Sequence, residues 1–108
     1  MYFAVNSEDM FIYHITTKQE WEAARVKGYY EAPSLETEGF IHCSKAEQVQ
    51  GVLERYYSGQ KELLKLTIDP ARLSSPLKFE LAPSVNEEFP HVYGPINPEA
   101  VVSVEEVE

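Results

Sequence analysis

Three histidines carry most of the chemistry that this 108-residue chain can offer. His14 stands in FIYHIT, His42 in GFIHCS and His91 in FPHVYGP, each in or beside a short aromatic segment. Imidazole changes charge near neutral pH, so each can serve as acid, base, metal ligand or anion contact. A zinc centre with three histidines and an open fourth position would use them all. The intervals of 28 and 49 residues contain no HExxH and no pair at i, i+2 or i, i+4, so the spacing argues against a resident metal. Cys43 is the one cysteine, which excludes an intrachain disulfide and every multi-cysteine metal framework. It follows His42 directly, so on a strand the two side chains face opposite ways, and the thiol is expected to be packed and unreactive. The Glu36/Glu38 and Glu87/Glu88 pairs read as solvated loop charges and not as an acid/base dyad. The five glycines are scattered, so no phosphate-cradling loop is present.

The elements that must position these groups follow from local patterns. Phe11 to Thr16 is rich in β-branched and aromatic residues and reads as a first strand. Thr17 with Glu20 makes a capping box, and Trp21, Ala24 and Gly28 then share a helical face, predicting a helix over 18–27 that Gly28 ends. Residues 29–38 contain Pro33 and no sustained period, so they read as a loop crossing the sheet. Gly39 to Cys43 is a second short strand. Ser44 with Glu47 repeats the capping signal, and Val49, Val52, Leu53 and Tyr56 predict the buried stripe of a second helix stopped at Ser58-Gly59. Leu64, Leu66 and Ile68, then Leu77, Phe79 and Leu81, alternate with polar residues as two half-buried strands joined at Asp69-Pro70. Residues 82–99 hold Pro83, Pro90, Pro95 and Pro98 and read as a long loop of the kind that often carries function. VVSVEEV is a last strand. Two early helices and several later strands predict an α+β domain with mixed or antiparallel sheets.

Alternation puts Ile12, His14 and Thr16 on one face of the first strand and Phe11, Tyr13 and Ile15 on the more apolar one, so His14 is expected to point away from the main core. The same parity groups Phe40, His42 and Ser44 opposite Ile41 and Cys43. If the two strands are neighbours, His14, Thr16, His42 and Ser44 converge beside the start of the second helix, whose free N–H groups favour an anion. The proline-rich loop is long enough to bring His91 to the same cleft. The bland alternative leaves the histidines bonded to buried backbone and makes Ser44 only a helix cap.

The mass of 12.3 kDa fits one domain over residues 1–108. A formal charge of −9 disfavours nucleic acid and anionic lipid as partners, leaving a small-molecule nucleotide or anionic metabolite as the expected ligand class. No apolar run approaches the roughly 20 residues of a membrane span, and MYFAVNSEDMFIYH has acids where a leader would have basic residues. A cytoplasmic protein is therefore expected.

IYHIT followed by EW, then APSLETEGFIHCS, IDPARL and FPHVYGPI, resembles a family of small bacterial and plant proteins known as domain of unknown function nine hundred and fifty-two, over about residues 11–104. The resemblance implies a fold similar to the ADP-ribosyltransferase superfamily, whose members bind NAD in a cleft between two small sheets. It implies NAD or an ADP-ribose-type nucleotide as ligand or substrate, with no resident cofactor. His14 then sits where those transferases carry a first-strand residue that bonds a ribose. GFIHCS places Ser44 and His42 at the nicotinamide pocket, with Thr16 beside them and Phe40 or Tyr93 as a stacking face. His42 and His91 are the acid, base or phosphate contacts. The third transferase motif supplies a glutamate that stabilises an oxocarbenium-like transition state. Here HVYGP offers His91 and Tyr93 in its place, so weak or absent transferase activity is implied; a non-catalytic metabolite-binding module is the alternative, and a His-liganded metal hydrolase the lesser one.

Overall fold

The computed structural model describes residues 11–107. The acidic stretch on which the expectation about a leader rests lies almost wholly in residues 1–10, outside the described residues. Strand β1 (Ile12–Thr17) runs into helix α1 (Lys18–Lys27). The Thr17 side chain accepts the Glu20 N–H, and Gly28, at φ 96°, closes the helix on the Ala24 carbonyl.

Residues 29–38 are not a plain loop. Pro33–Glu38 forms a short helix, α2, started by the proline and ended by Gly39 at φ 90°, whose N–H meets the Ser34 and Leu35 carbonyls. Six residues are too few to display a helical period, which is why the sequence pattern hides it. Strand β2 is shorter than expected, only Ile41–His42. A 3₁₀ turn (Ala46–Gln48) precedes helix α3 (Val49–Tyr56). Ser44 is not the cap: the 3₁₀ turn starts from Lys45, whose N–H donates to Gln48 Oε1 at 2.9 Å. The stripe expected to be buried is only half-buried at Val49, Val52 and Leu53, and Tyr56 is 61% exposed.

Strands β3 (Leu63–Ile68), β4 (Leu77–Ala82), β5 (Glu87–Val92) and β6 (Val101–Val107) complete the fold. The expected loop over 82–99 is therefore half hairpin. β4 and β5 turn at Asn86, φ 56°, with the Ala82 carbonyl accepting the Val85 and Asn86 N–H groups. Pro90 made this segment read as non-strand. Its carbonyl still accepts from Cys43 at 3.0 Å, but it can return no N–H bond, and β2 stops there.

Both sheets are antiparallel and three-stranded, ordered β1-β3-β6 and β2-β5-β4. They meet where Tyr13 and Ser44 exchange N–H···O bonds of 2.8 and 2.7 Å. The core joins Ile12, Leu66 and Ile68 of one sheet to Ile41 and Val92 of the other, with Tyr30, Ala24 and Ile96. The expectation for His14 is reversed. It lies opposite Leu66, on the same face as Ile12, and is 6% exposed because α1 and Tyr30 cover that face. Among the described residues no helix is long and apolar enough to cross a membrane.

Candidate functional site

The seam between the sheets opens into a cavity of ≈ 550 Å³. Such a volume is ordinary for a small-molecule site, roughly 300–1,000 Å³. β1 contributes His14 and Ile15, the stretch around β2 contributes His42, Cys43 and Ser44, and β5 contributes Phe89 and His91. Val52 and Tyr56 of α3, Tyr57, the β4–β5 turn and Glu38 at the end of α2 complete the walls. Among the described lining residues there is no lysine or arginine, so the only positive charge the walls can supply is on imidazole.

The chemistry concentrates where β2 meets β5. His42 pairs directly with His91 across the strands, and their rings lie 5.3 Å apart between centroids. Phe40 stacks on His91 at 4.0 Å and meets the His42 ring edge-on at 4.8 Å. Each imidazole has a carboxylate. His91 Nδ1 donates to Glu80 Oε1 at 2.7 Å and His42 Nε2 to Glu38 Oε1 at 3.1 Å. A carboxylate accepts only, so in the neutral rings these nitrogens hold the proton, leaving His91 Nε2 and His42 Nδ1 as bases. Glu80 also accepts from the Tyr93 hydroxyl. That bond, with the one from His91, holds the Glu80 carboxyl below the usual range and pushes the Tyr93 phenol up. Two carboxylate-oriented imidazoles, one buried and one exposed, thus stand together in the cavity wall.

His14 stands differently. Its Nδ1–H donates to the His42 carbonyl at 2.6 Å, and its Nε2 lies 2.7 Å from the Tyr30 hydroxyl. Both ring nitrogens are thus engaged within the protein. Burial lowers its pKa to about 4, against the backbone bond, so the ring is neutral near pH 7. Cys43 is 3% exposed and burial pushes its thiol far up, leaving no reactive thiolate.

Of the residues singled out from the sequence, His14, His42, Ser44 and His91 share the cavity. Thr16, Phe40 and Tyr93 are not among its lining residues. Thr16 is 2% exposed, with Oγ1 held by Tyr30 and Glu20. Phe40 packs on the histidines and Tyr93 turns to Glu80. Glu38 is exposed, as read from the sequence, but it ends helix α2 instead of lying in a loop, lines the cavity and binds His42; its place four residues before His42 is the one signal that could have shown this. Glu87 and Glu88 are exposed. Glu80 and Tyr30 were missed, because nothing local marks a partner 11 or 16 residues away. Among the described residues no group of three or more metal-ligating side chains gathers.

The profile of a family described as "Protein of unknown function (DUF952)" matches residues 15–104. The crystal structure of CC0527 from Caulobacter crescentus is similar, with a TM-score of 0.83 and 31% identity over 91% of this chain and 86% of that one. A crystal structure of a double mutant of CC0527 matches at 0.83 and 30% identity, covering 91% and 86%. Its solution NMR structure matches at 0.79 and 31%, covering 92% and 85%. No curated protein matches the chain.

Proposed function

The chain belongs to the DUF952 family, and from that premise we propose that the seam cavity binds NAD or an ADP-ribose-type nucleotide, with His42 and His91 as its acid–base pair. The observation that carries this reading is the meeting of His14, His42, Ser44 and His91 on one cavity between two three-stranded antiparallel sheets. Ser44 and the two free imidazole nitrogens meet the ribose, and Phe40 and Tyr93 stiffen the histidines from behind. His14 and Thr16 act from the core, His14 by fixing the His42 backbone.

Affinity is modest on this account. A dianionic pyrophosphate approaches a chain of charge −9 and finds no lysine or arginine in the walls, so the nucleoside end enters and the phosphates stay toward solvent. Nicotinamide release is slow. The one carboxylate among the described lining residues, Glu38, is already shared with His42, and a neutral imidazole at His91 does not replace a carboxylate beside an oxocarbenium. Losing such a contact costs about 3–4 kcal/mol in the barrier. The non-catalytic alternative, a metabolite sensor, keeps the cavity and drops the chemistry, and it is favoured by the lack of an unshared carboxylate among the described lining residues.

Calorimetric titration of NAD and ADP-ribose against wild type and His42→Ala tests the reading. Weak binding that the substitution reduces is expected. Identical heats for both proteins, or none at millimolar ligand, remove it.

A further inference from the structure

From the cavity wall at His14 a file of hydrogen-bonded polar groups runs through the core to helix α1. His14 Nδ1 is 2.6 Å from the His42 carbonyl and Nε2 is 2.7 Å from the Tyr30 hydroxyl. That hydroxyl is 2.9 Å from Thr16 Oγ1, which is 3.0 Å from Glu20 Oε1. His14, Tyr30 and Thr16 are buried. Glu20 is half-buried on α1 and lines a second groove with Lys27, Glu31 and Leu35.

Four contacts need four protons. The carbonyl and the carboxylate only accept, and a neutral imidazole, a phenol and an alcohol together bring three. With an imidazolium the file is complete: Nδ1–H donates to His42, Nε2–H to Tyr30, Tyr30 to Thr16 and Thr16 to Glu20. With neutral imidazole one contact goes without a proton, and in the polarity poised for transfer both hydroxyls reverse. Thr16 then donates to Tyr30, Tyr30 donates to Nε2, and Glu20 loses its donor. The two polarities differ by one proton and two O–H rotations, and they exclude each other.

We propose that Glu20, Thr16 and Tyr30 form a proton relay to His14, coupling the charge in the cavity wall to the groove at Glu20. A proton arriving on the Glu20 carboxyl passes to Thr16 Oγ1 as the Thr16 proton passes to Tyr30 and the Tyr30 proton to Nε2. Each O–H bond that breaks is replaced by one formed from the Glu20 side, so the net change is one proton from solvent onto His14. The other titratable groups near His14 are His42 and Cys43 beside it and Tyr57 after α3. Cys43 and Tyr57 are held protonated by burial and carry no charge near pH 7, while charge on His42 opposes charge on His14. Glu20, Thr16 and Tyr30 are positioning residues, acting only through His14. The consequence for an anionic ligand rests on the proposed cavity function; the relay itself does not.

The test is therefore made without ligand, by ¹⁵N NMR titration of the His14 ring in the full chain, following folded-state resonances. Glu20→Gln lowers the His14 midpoint so that proton affinity falls about tenfold, Glu20→Asp restores most of it, and the exposed Glu22→Gln leaves it unchanged. In a Tyr30→Phe background, or Thr16→Val where that variant does not fold, Glu20→Gln no longer moves the midpoint. Equal effects of Glu20→Gln and Glu22→Gln overturn the relay. So does a Glu20 effect that survives the cut, because that is charge acting through space.

Discussion

Replacing Tyr30 with Phe removes one oxygen from the centre of the buried file and leaves the ring contacts in place. Tyr30 is 2% exposed, and its ring meets His14 at 5.1 Å and Trp21 at 6.4 Å. The phenylalanine keeps that packing. What is lost is the donor to His14 Nε2, which then stands as a buried acceptor with no partner, and the acceptor for Thr16, which can turn to Glu20 instead. One orphaned buried acceptor costs about 1–3 kcal/mol. For a domain of this size that lowers the melting temperature by about 4–12 °C. Urea unfolding followed by the single tryptophan, Trp21, measures it. The midpoint should fall while the slope with denaturant is unchanged. Tyr29→Phe, at a neighbour 41% exposed, is the control and should stay within about 0.5 kcal/mol. A Tyr30→Phe loss no larger than that of the control would refute the reasoning, since Nε2 would then have found another donor.

Stability should fall as pH drops from about 6.5 to about 4, because over that window the unfolded His14 binds a proton that the native ring refuses. The shift is worth about 3 kcal/mol, and a flat urea midpoint across those pH values would contradict it. Cys43, buried with its thiol pushed up, should react slowly with a thiol reagent in the native state and fast in urea; rapid native labelling would reopen it as a nucleophile. Gly94→Ala should lose about 2 kcal/mol or more. Its φ is 149°, and a Cβ there runs into the Ser75 side chain, itself bonded to the Pro95 carbonyl. Thermal unfolding indistinguishable from wild type would show that Ser75 yields freely.

Signals that act over a few residues were legible in the sequence. The Thr17–Glu20 cap, the Gly28 stop, the β3 strand and the last strand all stand in the structure, though β3, expected to be half-buried, is the central strand of its sheet and is buried at five of its six residues. Failures arose where a longer-range fact outweighed the local one. Pro90 reads as a breaker, yet β5 keeps it because its carbonyl remains useful to Cys43. Parity sorted the faces of β1 correctly, but which face is the core depends on where α1 and Tyr30 fold back. The histidines were visible as types; the Glu80 partner of His91 was not, because Glu80 reaches His91 only once the hairpin has formed. His14 shows the limit most clearly, since both its partners come from other elements.

The central claim is that a nucleotide enters the seam beside His42 and His91. Titration of ADP-ribose into ¹⁵N-labelled protein, followed by amide chemical shifts, tests it most directly. The account predicts weak, saturable shifts at His42, Cys43, Ser44, Phe89 and His91, lost in His42→Ala. Shifts confined to the groove around Glu20 or to the one beside Lys61, or no shifts at millimolar ligand, would contradict it.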